Sequence, residues 1–271
     1  MSGAAGQSTF APGLLAGKTA FISGGTSGIN LGIAKRFAAL GAKVAVLGRK
    51  PDKADAAAAE IDAETGTTGA LAVTADVRDY GAVEAAFASA VATHGQIDIL
   101  IAGQAGNFPA PALGMSANAF KAVVDIDLLG TFNIFRAGHQ HLNPGASLIA
   151  ITAGQAKKPA PLQAHVCAAK AGVNMLVQCL AIEWGPMGVR VNAITPGPIE
   201  GTEGMARLAP TPEAEAQVIG GVPMRRYGRA DEIGDAAVYL CSPAAQYVTG
   251  AILDVDGGST LLGYRFEGLA G

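Results

Sequence analysis

The chain has 271 residues, half of them hydrophobic and only 15% charged, with a formal net charge of −3 at pH 7. This length and apolar content fit one large α/β domain with a buried core, and the weak negative charge without basic runs argues against nucleic acid or an anionic membrane as the main partner. The three cysteines and four histidines are scattered without metal-ligand spacing, so we expect no metal site and a reducing compartment.

Short apolar runs alternate with alanine-rich helical patterns along the chain. Strands are predicted at 19–23, 44–48, 70–74, 97–102, 147–152, 189–194 and 251–255, and helices at 29–40, from 51 onward, at 80–94 and at 167–184. Apolar strands separated by helices predict a doubly wound parallel sheet of the Rossmann type, covered on both faces. No apolar stretch reads as a transmembrane helix.

Two boundaries follow from composition. Residues 1–15 are small and rich in glycine and alanine, so we expect a flexible N-terminal tail. The remainder, 16–271, shows no linker or repeat and is predicted to be a single Rossmann-type domain.

A glycine-rich segment at 23–32 joins the first predicted strand to the first helix. Its glycines permit a tight turn and allow backbone N–H groups to approach a pyrophosphate at the positive helix N-terminus. The position between the strand and helix of a βαβ unit favours a dinucleotide site over a glycine-rich turn without a ligand. The residues assigned to the cofactor here are Gly24, Thr26, Ser27, Gly28 and Ile29.

This loop resembles the T-G-x-x-x-G-I-G loop of short-chain dehydrogenases/reductases, and the resemblance extends over nearly the whole chain. Other matching segments are Asp76-Val77, Gln104-Ala105-Gly106, Pro196-Gly197-Pro198-Ile199, Tyr247-Val248-Thr249-Gly250 and Asp256-Gly257-Gly258. The resemblance implies cofactor contacts at Asp76, Val77, Ala105, Gly106, Pro196, Gly197 and Ile199. Asn30 departs from the pattern, because it stands where the family carries its third glycine.

The end of the second strand bears on the choice of cofactor. It reads Leu47-Gly48-Arg49-Lys50, without the carboxylate that NAD-specific sites usually place there for the ribose 2′-hydroxyl. Arg49 is suited to a 2′-phosphate through a planar, charge-assisted pair. We therefore expect NADP(H), the alternative being that Arg49 is a solvated charge.

The family's catalytic residues are Asn, Ser, Tyr and Lys, and by position only the lysine is kept. Lys170 matches it, and the resemblance implies that it binds the nicotinamide ribose. Val166 stands at the tyrosine position, Ala153 at the serine and Asp127 at the asparagine. Two hypotheses follow: a protein that only binds cofactor, or a reaction in which no proton goes to a carbonyl oxygen.

Several strings, taken in order, resemble 2,4-dienoyl-CoA reductases, most closely the peroxisomal type. They are 105–108, 125–133, 162–165, 183–186 and 197–204. Those enzymes also lack the tyrosine and carry Asp at the asparagine position. The resemblance implies hydride transfer from NADPH to the far end of a conjugated acyl thioester, after which the enzyme stabilises an oxyanion and delivers a proton to carbon.

Candidate roles in this reaction can be given to five side chains, each with an alternative. Lys170 and Asp127 are the catalytic pair, with Asp127 or a water on it as the proton donor, unless Asp127 is a buried carboxylate paired to Lys170 or the backbone. Asn107 and Gln155 could donate to the thioester oxygen, although Asn107 could simply shape a turn. Phe108 is either a wall for the acyl chain or a core aromatic.

His165 is a further candidate for substrate contact, because imidazole titrates near neutral pH, yet it could equally be a cap or surface residue. The segment 200–221 resembles the family's substrate-covering loop. Family resemblance also implies a homotetramer with an acyl thioester as its small-molecule partner. The C-terminal Leu269-Ala270-Gly271 does not match a peroxisomal signal, so a cytoplasmic location is expected.

Two other functions stay open at this point. The first is a carbonyl reductase or alcohol dehydrogenase, such as a 3-oxoacyl reductase, with an atypical proton donor. The second is a non-catalytic NADP-binding protein.

Overall fold

A seven-stranded parallel sheet organises the computed structural model, which describes residues 9–262. The strand order is β3-β2-β1-β4-β5-β6-β7, so the chain changes direction across the sheet between β1 and β4. Such a switch point opens a crevice at the carboxyl ends of the strands. The strands are β1 (Thr19–Ser23), β2 (Lys43–Gly48), β3 (Leu71–Thr74), β4 (Ile97–Ala102), β5 (Leu142–Ile151), β6 (Arg190–Pro196) and β7 (Ile252–Val255).

Helices cover both faces of the sheet. They are α1 (Gly28–Ala39), α2 (Pro51–Thr65), α3 (Tyr80–His94), α4 (Ala117–Val124), α5 (Gly130–His139), α6 (Ala164–Trp184), α7 (Glu203–Leu208), α8 (Pro212–Gly220) and α9 (Ala230–Cys241). A π-helical turn, Asp125–Leu129, joins α4 directly to α5. Such turns are rare and often mark functional sites.

Two hydrophobic clusters form the core, one on each face of the sheet. Alternation along β1 shows the division, since Phe21 belongs to the cluster under α3, α5 and α6, whereas Ala20 and Ile22 belong to the cluster under α1 and α9. All three side chains are fully buried. Strands buried on both faces explain why the predicted strands read as continuous apolar runs.

The helix α6 is long and apolar. With its continuation to Met187 it has a mean hydropathy of 1.4, which by length and composition alone is enough to cross a membrane, a property that the sequence analysis did not recognise. In this fold Val173, Val177 and Leu180 are buried in the cluster against the sheet. Helices buried in a protein core can be as long and as apolar as this one.

The doubly wound fold and all seven predicted strands are present within residues 9–262. The largest difference is β5, which begins at Leu142 rather than at 147, because Pro144 and Gly145 resemble a turn in sequence. The region from α4 to α5 received no prediction. Residues 200–221 were predicted as a loop but contain the helices α7 and α8.

The last residues of the predicted tail pack against the domain. Residues 1–8 lie outside the described part of the chain, but Leu15 is only 2% exposed and its N–H donates to the carbonyl of Leu40 at 2.9 Å. Phe10 and Leu14 also pack against the core cluster. The prediction of a flexible tail through residue 15 is therefore wrong for its last residues, because their apolar side chains cover the end of α1.

Candidate active site

Two adjoining cavities of about 420 Å³ each lie at the carboxyl ends of the strands. The first, which we call the loop cavity, lies between the glycine-rich loop, the end of β2 and the segment after β3. The second, the lysine cavity, lies between β4, β5, the start of α6 and the helix α7. Ser27, Asn30, Gly103, Ala105 and Glu203 line both cavities, so one extended ligand could occupy the two together.

The glycine-rich loop has the geometry of a phosphate cradle. Gly24 and Gly28 have positive φ angles of 71° and 55°, which L side chains rarely adopt. A Cβ on Gly24 would also lie 2.8 Å from the backbone nitrogen of Gln104. The loop therefore needs glycine at both positions, and its backbone fits a pyrophosphate at the start of α1.

The predicted cofactor residues divide between the two cavities as a dinucleotide requires. Gly24, Thr26, Arg49, Asp76 and Val77 line only the loop cavity. Those that line only the lysine cavity are Gly28, Ile29, Gly106, Lys170, Pro196, Gly197 and Ile199. Ser27 and Ala105 belong to the shared boundary.

Basic side chains collect at the outer end of the loop cavity. Lys50 and Lys53 line it beside Arg49, so three cations lie at the carboxyl end of β2. Lys53 was missed in the sequence because it belongs to α2, and only the first turn of that helix brings it back to the strand end. This cluster fits an anionic group better than it fits a bare ribose.

Asp76 lines the same cavity and is held as a carboxylate. Arg78 donates to it through two nitrogens, at 2.9 and 2.6 Å. This hydrogen-bonded pair lowers the pKa of Asp76 to about 2, with a smaller contribution from the charge of Arg49. The charge at this wall is therefore constant over the physiological pH range.

Asn30 fills the space that a glycine would leave in the family pattern. It is 8% exposed, and its Nδ2 donates to the carbonyl of Gly103 at 2.7 Å. A Cβ on Gly103 would lie 2.2 Å from Asn30 Oδ1, so a side chain at 103 would displace the Asn30 amide. Asn30, which departs from the family pattern, thus connects α1 to the end of β4 by a hydrogen bond and leaves the glycine-rich loop intact.

The lysine cavity contains a buried pair of opposite charges. Asp127 is fully buried, and its Oδ1 accepts from the backbone N–H of Gly106 at 2.6 Å. Its Oδ2 lies 3.3 Å from Lys170 Nζ, within ion-pair distance, but makes no hydrogen bond. Lys170 Nζ in turn donates to the carbonyl of Ile151 at 3.1 Å. Asp127 therefore has the backbone and lysine partners named as its structural alternative, while its Oδ2 makes no hydrogen bond within the described residues.

The π-helical turn explains how a carboxylate comes to lie here. The extra residue in the turn places Asp127 toward α6, while Asp125 pairs with Lys121 at the surface. Thr131 Oγ1 donates to the carbonyl of Asp127 at 2.6 Å, and Gln104 Nε2 donates to that hydroxyl at 3.1 Å. This second layer holds the carboxylate in position.

The wall opposite the carboxylate is apolar. Val166 lines the lysine cavity one turn before Lys170, and Ala153 lines it at the end of β5. None of Tyr80, Tyr227, Tyr239 and Tyr247 lines either cavity, and Tyr264 lies outside the described residues. Within residues 9–262 no phenol is available to protonate a ligand in these cavities.

Amide side chains form the polar part of the lysine cavity. Asn107 and Gln155, both predicted to bind substrate, line it. Gln163, which the sequence analysis did not select, lies between them: Gln155 Nε2 donates to Gln163 Oε1 at 2.8 Å, and Gln163 Nε2 donates to Asn107 Oδ1 at 3.5 Å. Only the turn before α6 brings these three residues together, so their spacing in sequence gives no signal.

Phe108 and His165 do not line either cavity, although both were predicted to contact substrate. Their rings pack against each other with centroids 4.5 Å apart. His165 is fully buried with neither ring nitrogen hydrogen-bonded, and Phe108 packs against the small cluster of Val123, Val166 and Ala169. Both side chains therefore support the cavity wall from behind, the core role that was the alternative for Phe108.

The helix α7 closes one side of the lysine cavity. Met205, Arg207 and Leu208 line it, and Leu208 is 42% exposed. The apolar side chains of Met205 and Leu208 suit an acyl chain better than a small polar ligand. The sequence analysis placed a substrate-covering loop here, but its helical spacing of apolar residues was missed because glycine and proline flank so short a helix.

Comparison with known proteins identifies a family. A family model described as "Enoyl-(Acyl carrier protein) reductase" matches residues 24–260. Among solved structures, a gluconate 5-dehydrogenase from Burkholderia cenocepacia J2315 in complex with NADP and tartrate has a TM-score of 0.86 at 30% identity, with 92% of this chain and 97% of that chain covered. A short chain dehydrogenase from Bacillus anthracis has a TM-score of 0.81 at 36% identity, covering 92% and 99%.

Curated relatives are similar over almost their full length. The peroxisomal 2,4-dienoyl-CoA reductase [(3E)-enoyl-CoA-producing] of Rattus norvegicus is 44% identical over 253 residues, which is 92% of this chain and 86% of that protein. A probable 2,4-dienoyl-CoA reductase [(2E)-enoyl-CoA-producing] of Bacillus subtilis is 37% identical over 253 residues, covering 92% and 99%.

Proposed function

The chain belongs to the short-chain dehydrogenase/reductase family, an oxidoreductase family that binds nicotinamide cofactors, and we propose that it is an NADPH-dependent 2,4-dienoyl-CoA reductase. The observation that carries this proposal is the reaction site itself. It combines a buried Asp127–Lys170 pair with Val166 where the family's proton-donating tyrosine would stand. Relatives with 37–44% identity that are named as 2,4-dienoyl-CoA reductases support it.

The choice of NADPH over NADH rests on the loop cavity. A 2′-phosphate there would meet Arg49, Lys50 and Lys53, and residues 47–50 offer no carboxylate for a 2′-hydroxyl. A guanidinium next to a phosphate forms charge-assisted, bidentate hydrogen bonds. When bound, NADPH would supply the hydride that adds to C5 of the conjugated acyl chain.

Lys170 and Asp127 have distinct tasks in this proposal. Hydride addition at C5 moves negative charge through the conjugated system to the thioester oxygen. Lys170 Nζ, buried and next to the cavity, stabilises that charge through its own and holds the cofactor ribose as family resemblance implies. Asp127 Oδ2 is the oxygen without a hydrogen-bond partner, so in this proposal it holds the water through which a proton reaches carbon.

Protonation at carbon also decides the product. A proton at C2 leaves a double bond between C3 and C4, whereas a proton at C4 leaves it between C2 and C3. We propose the (3E)-enoyl product, supported by the name of the Rattus norvegicus relative, a (3E)-enoyl-CoA-producing reductase. The amide groups of Asn107 and Gln155 are suited to hold the thioester oxygen, since donors aimed at a developing oxyanion lower the barrier.

The test is turnover of NADPH with a 2,4-dienoyl-CoA. The rate is measured from the loss of NADPH absorbance, and the product is identified by NMR. We expect oxidation with the dienoyl thioester and none with the matching 3-oxoacyl thioester. Turnover of ketones alone would instead support the carbonyl reductase. Tight NADPH binding without oxidation across both substrates would support the non-catalytic alternative.

We also propose a homotetramer. Met175 and Ile182 lie two turns apart on α6 and are 60% and 78% exposed, and Leu129 and Phe132 are 43% and 41% exposed near the start of α5. Apolar side chains in such exposed rows mark association surfaces. Light scattering should give four times the 27.1 kDa chain mass, and Ile182→Glu should reduce it while Leu113→Glu does not. A monomeric wild type would contradict the proposal.

A cytoplasmic location without membrane attachment completes the proposal. It is supported by the three cysteines of the described residues, all of which are free thiols. Cell fractionation should recover the protein with cytoplasmic markers. Recovery with the membrane fraction would contradict this location.

A further inference from the structure

Three contacts join the segment that carries Asn107 to residues 162–165 at the start of α6. Gln163 Nε2 donates to Asn107 Oδ1 at 3.5 Å, the rings of Phe108 and His165 pack 4.5 Å apart, and the N–H of Ala110 donates to the carbonyl of Leu162 at 2.9 Å. Side chain, ring and backbone thus hold the two segments in register. The orientation of Asn107 depends on this junction.

Gln163 lies at the centre of the junction, and its side chain does not cap the helix. It occupies the N-cap position of α6, but its side chain makes no capping hydrogen bond. The residue is only 5% exposed, and both ends of its amide are used by other side chains, one by Gln155 and one by Asn107. Both ends of this buried amide are hydrogen-bonded to residues that line the cavity, so Gln163 is placed to set the orientation of their side chains.

The backbone before Gln163 is held in an uncommon conformation. Leu162 has a φ of 64°, one of two non-glycine residues with positive φ within residues 9–262. Its side chain is 49% exposed, so burial of that side chain does not explain the conformation. Left-handed backbone is unfavourable for leucine and persists where the surrounding structure requires it, often at functional sites. Here it turns Gln163 inward beneath the cavity.

We propose that Gln163 is a positioning residue that fixes which end of the Asn107 amide faces the lysine cavity. The Gln163 amide is polarised along one direction, because its oxygen accepts from Gln155 and its nitrogen donates to Asn107. Asn107 Oδ1 is therefore engaged, and the two N–H groups of Nδ2 are left for a ligand. This inference rests on the proposed function, in which a thioester oxyanion needs a donor.

Gln163→Glu and Gln163→Leu separate polarity from packing. The carboxylate of Glu at this position has the shape of the glutamine amide but can only accept hydrogen bonds. It should therefore attract Asn107 Nδ2, which turns Asn107 Oδ1 toward the substrate. We expect a loss in kcat of about 10²-fold for the Glu variant, as for removal of one oxyanion donor, and roughly tenfold for Leu. The KM for NADPH should stay unchanged in both. If Gln163 acts through packing alone, kcat should fall further in the Leu variant than in the Glu variant. That result would overturn the proposal.

A double-mutant cycle tests whether Gln163 acts through Asn107. In an Asn107→Ala background, Gln163→Glu should lower kcat by less than about twofold, because the group that it orients is gone. Fully additive losses would contradict the proposal. NADPH binding by fluorescence serves as the folding control for every variant.

Neutron diffraction of the deuterated wild type gives an answer that does not depend on the substrate. It should show the deuterons of Asn107 Nδ2 facing the lysine cavity and Oδ1 facing Gln163. The opposite orientation would overturn the polarity inference even if the protein reduces dienoyl thioesters. The expected orientation in a protein that turns over only other substrates would reject the proposed function and keep this inference.

Discussion

The loop cavity and the lysine cavity are both lined by charged groups, but those groups differ in burial and in the backbone that surrounds them. The loop cavity combines a left-handed glycine, Gly24, with exposed cations such as Arg49. The lysine cavity relies on buried side chains, with Asp127 and Lys170 almost completely withdrawn from solvent. We therefore expect that a cation of the loop cavity can be replaced without disturbing its neighbours, whereas each charge of the lysine cavity depends on its partner.

The largest effect is expected from breaking the buried pair. Lys170→Met should lower kcat by about 10⁴-fold or more, since it removes both a charge at the reacting atoms and the geometry of the proton donor. It should also reduce the free energy of unfolding by about 3–5 kcal/mol, because Asp127 is left as an unpaired buried charge. Initial rates and urea denaturation measure the two effects.

The control for that variant is Lys170→Met combined with Asp127→Asn. Removal of both charges should restore most of the stability without restoring activity. If the double variant is as unstable as the single one, the ion pair does not explain the loss.

Asp127→Asn is the next largest change. The amide oxygen can still accept from the Gly106 N–H, so the fold should persist while kcat falls by about 10²–10⁴-fold, the usual contribution of positioned proton transfer. Asp125→Asn in the same turn is the matched control, since Asp125 forms its ion pair with Lys121 at the surface, and it should keep wild-type rates. Wild-type turnover by Asp127→Asn would reassign Asp127 to structure.

A smaller effect is expected at the loop cavity. Arg49→Ala should raise the KM for NADPH by roughly 10- to 100-fold, the equivalent of about 1.5–3 kcal/mol for hydrogen bonds to a charged group, and leave the KM for NADH unchanged. Lys43→Ala, at the opposite end of β2 and exposed, is the control. Equal changes for the two cofactors would show that Arg49 does not contact a 2′-phosphate.

The smallest effect should come from acid titration of Asp76. Its pKa is lowered to about 2 in the folded chain from the ordinary value of 3.8, so its contribution to stability is complete above the unfolded pKa and is lost as the pH falls toward 2. The pair with Arg78 is partly exposed, which keeps the contribution small. Thermal unfolding of wild type and Arg78→Gln should differ by a constant amount above about pH 5 and converge near pH 2. A difference that persists at pH 2 would contradict this.

The two cavities also differ in how far the sequence predicts them. Every cofactor residue selected from the sequence lines one cavity or the other, because glycine patterns and strand ends encode local backbone. In the lysine cavity the pair of Lys170 and Asp127 follows from family positions. Gln163, by contrast, acquires its role only when the turn at Leu162 folds it under Asn107.

His165 and Phe108 show the opposite error, in which the sequence predicts substrate contacts that the fold does not provide. Their residue types suggest chemistry, yet tertiary packing turns the two rings toward each other and away from the cavity. The helices of 200–221 escaped prediction for a related reason: short helices gain little from intrinsic propensity and form because they cover a neighbouring surface.

The contact between Asn30 and Gly103 has a consequence for how this protein can change over generations. With the amide in this position, alanine at 103 displaces the Asn30 side chain and its hydrogen bond, so we expect that substitution to be tolerated better where residue 30 has first become small. The two sites are therefore expected to be epistatic. A library that varies each position separately will score 103 as invariant, although the restriction belongs to its neighbour.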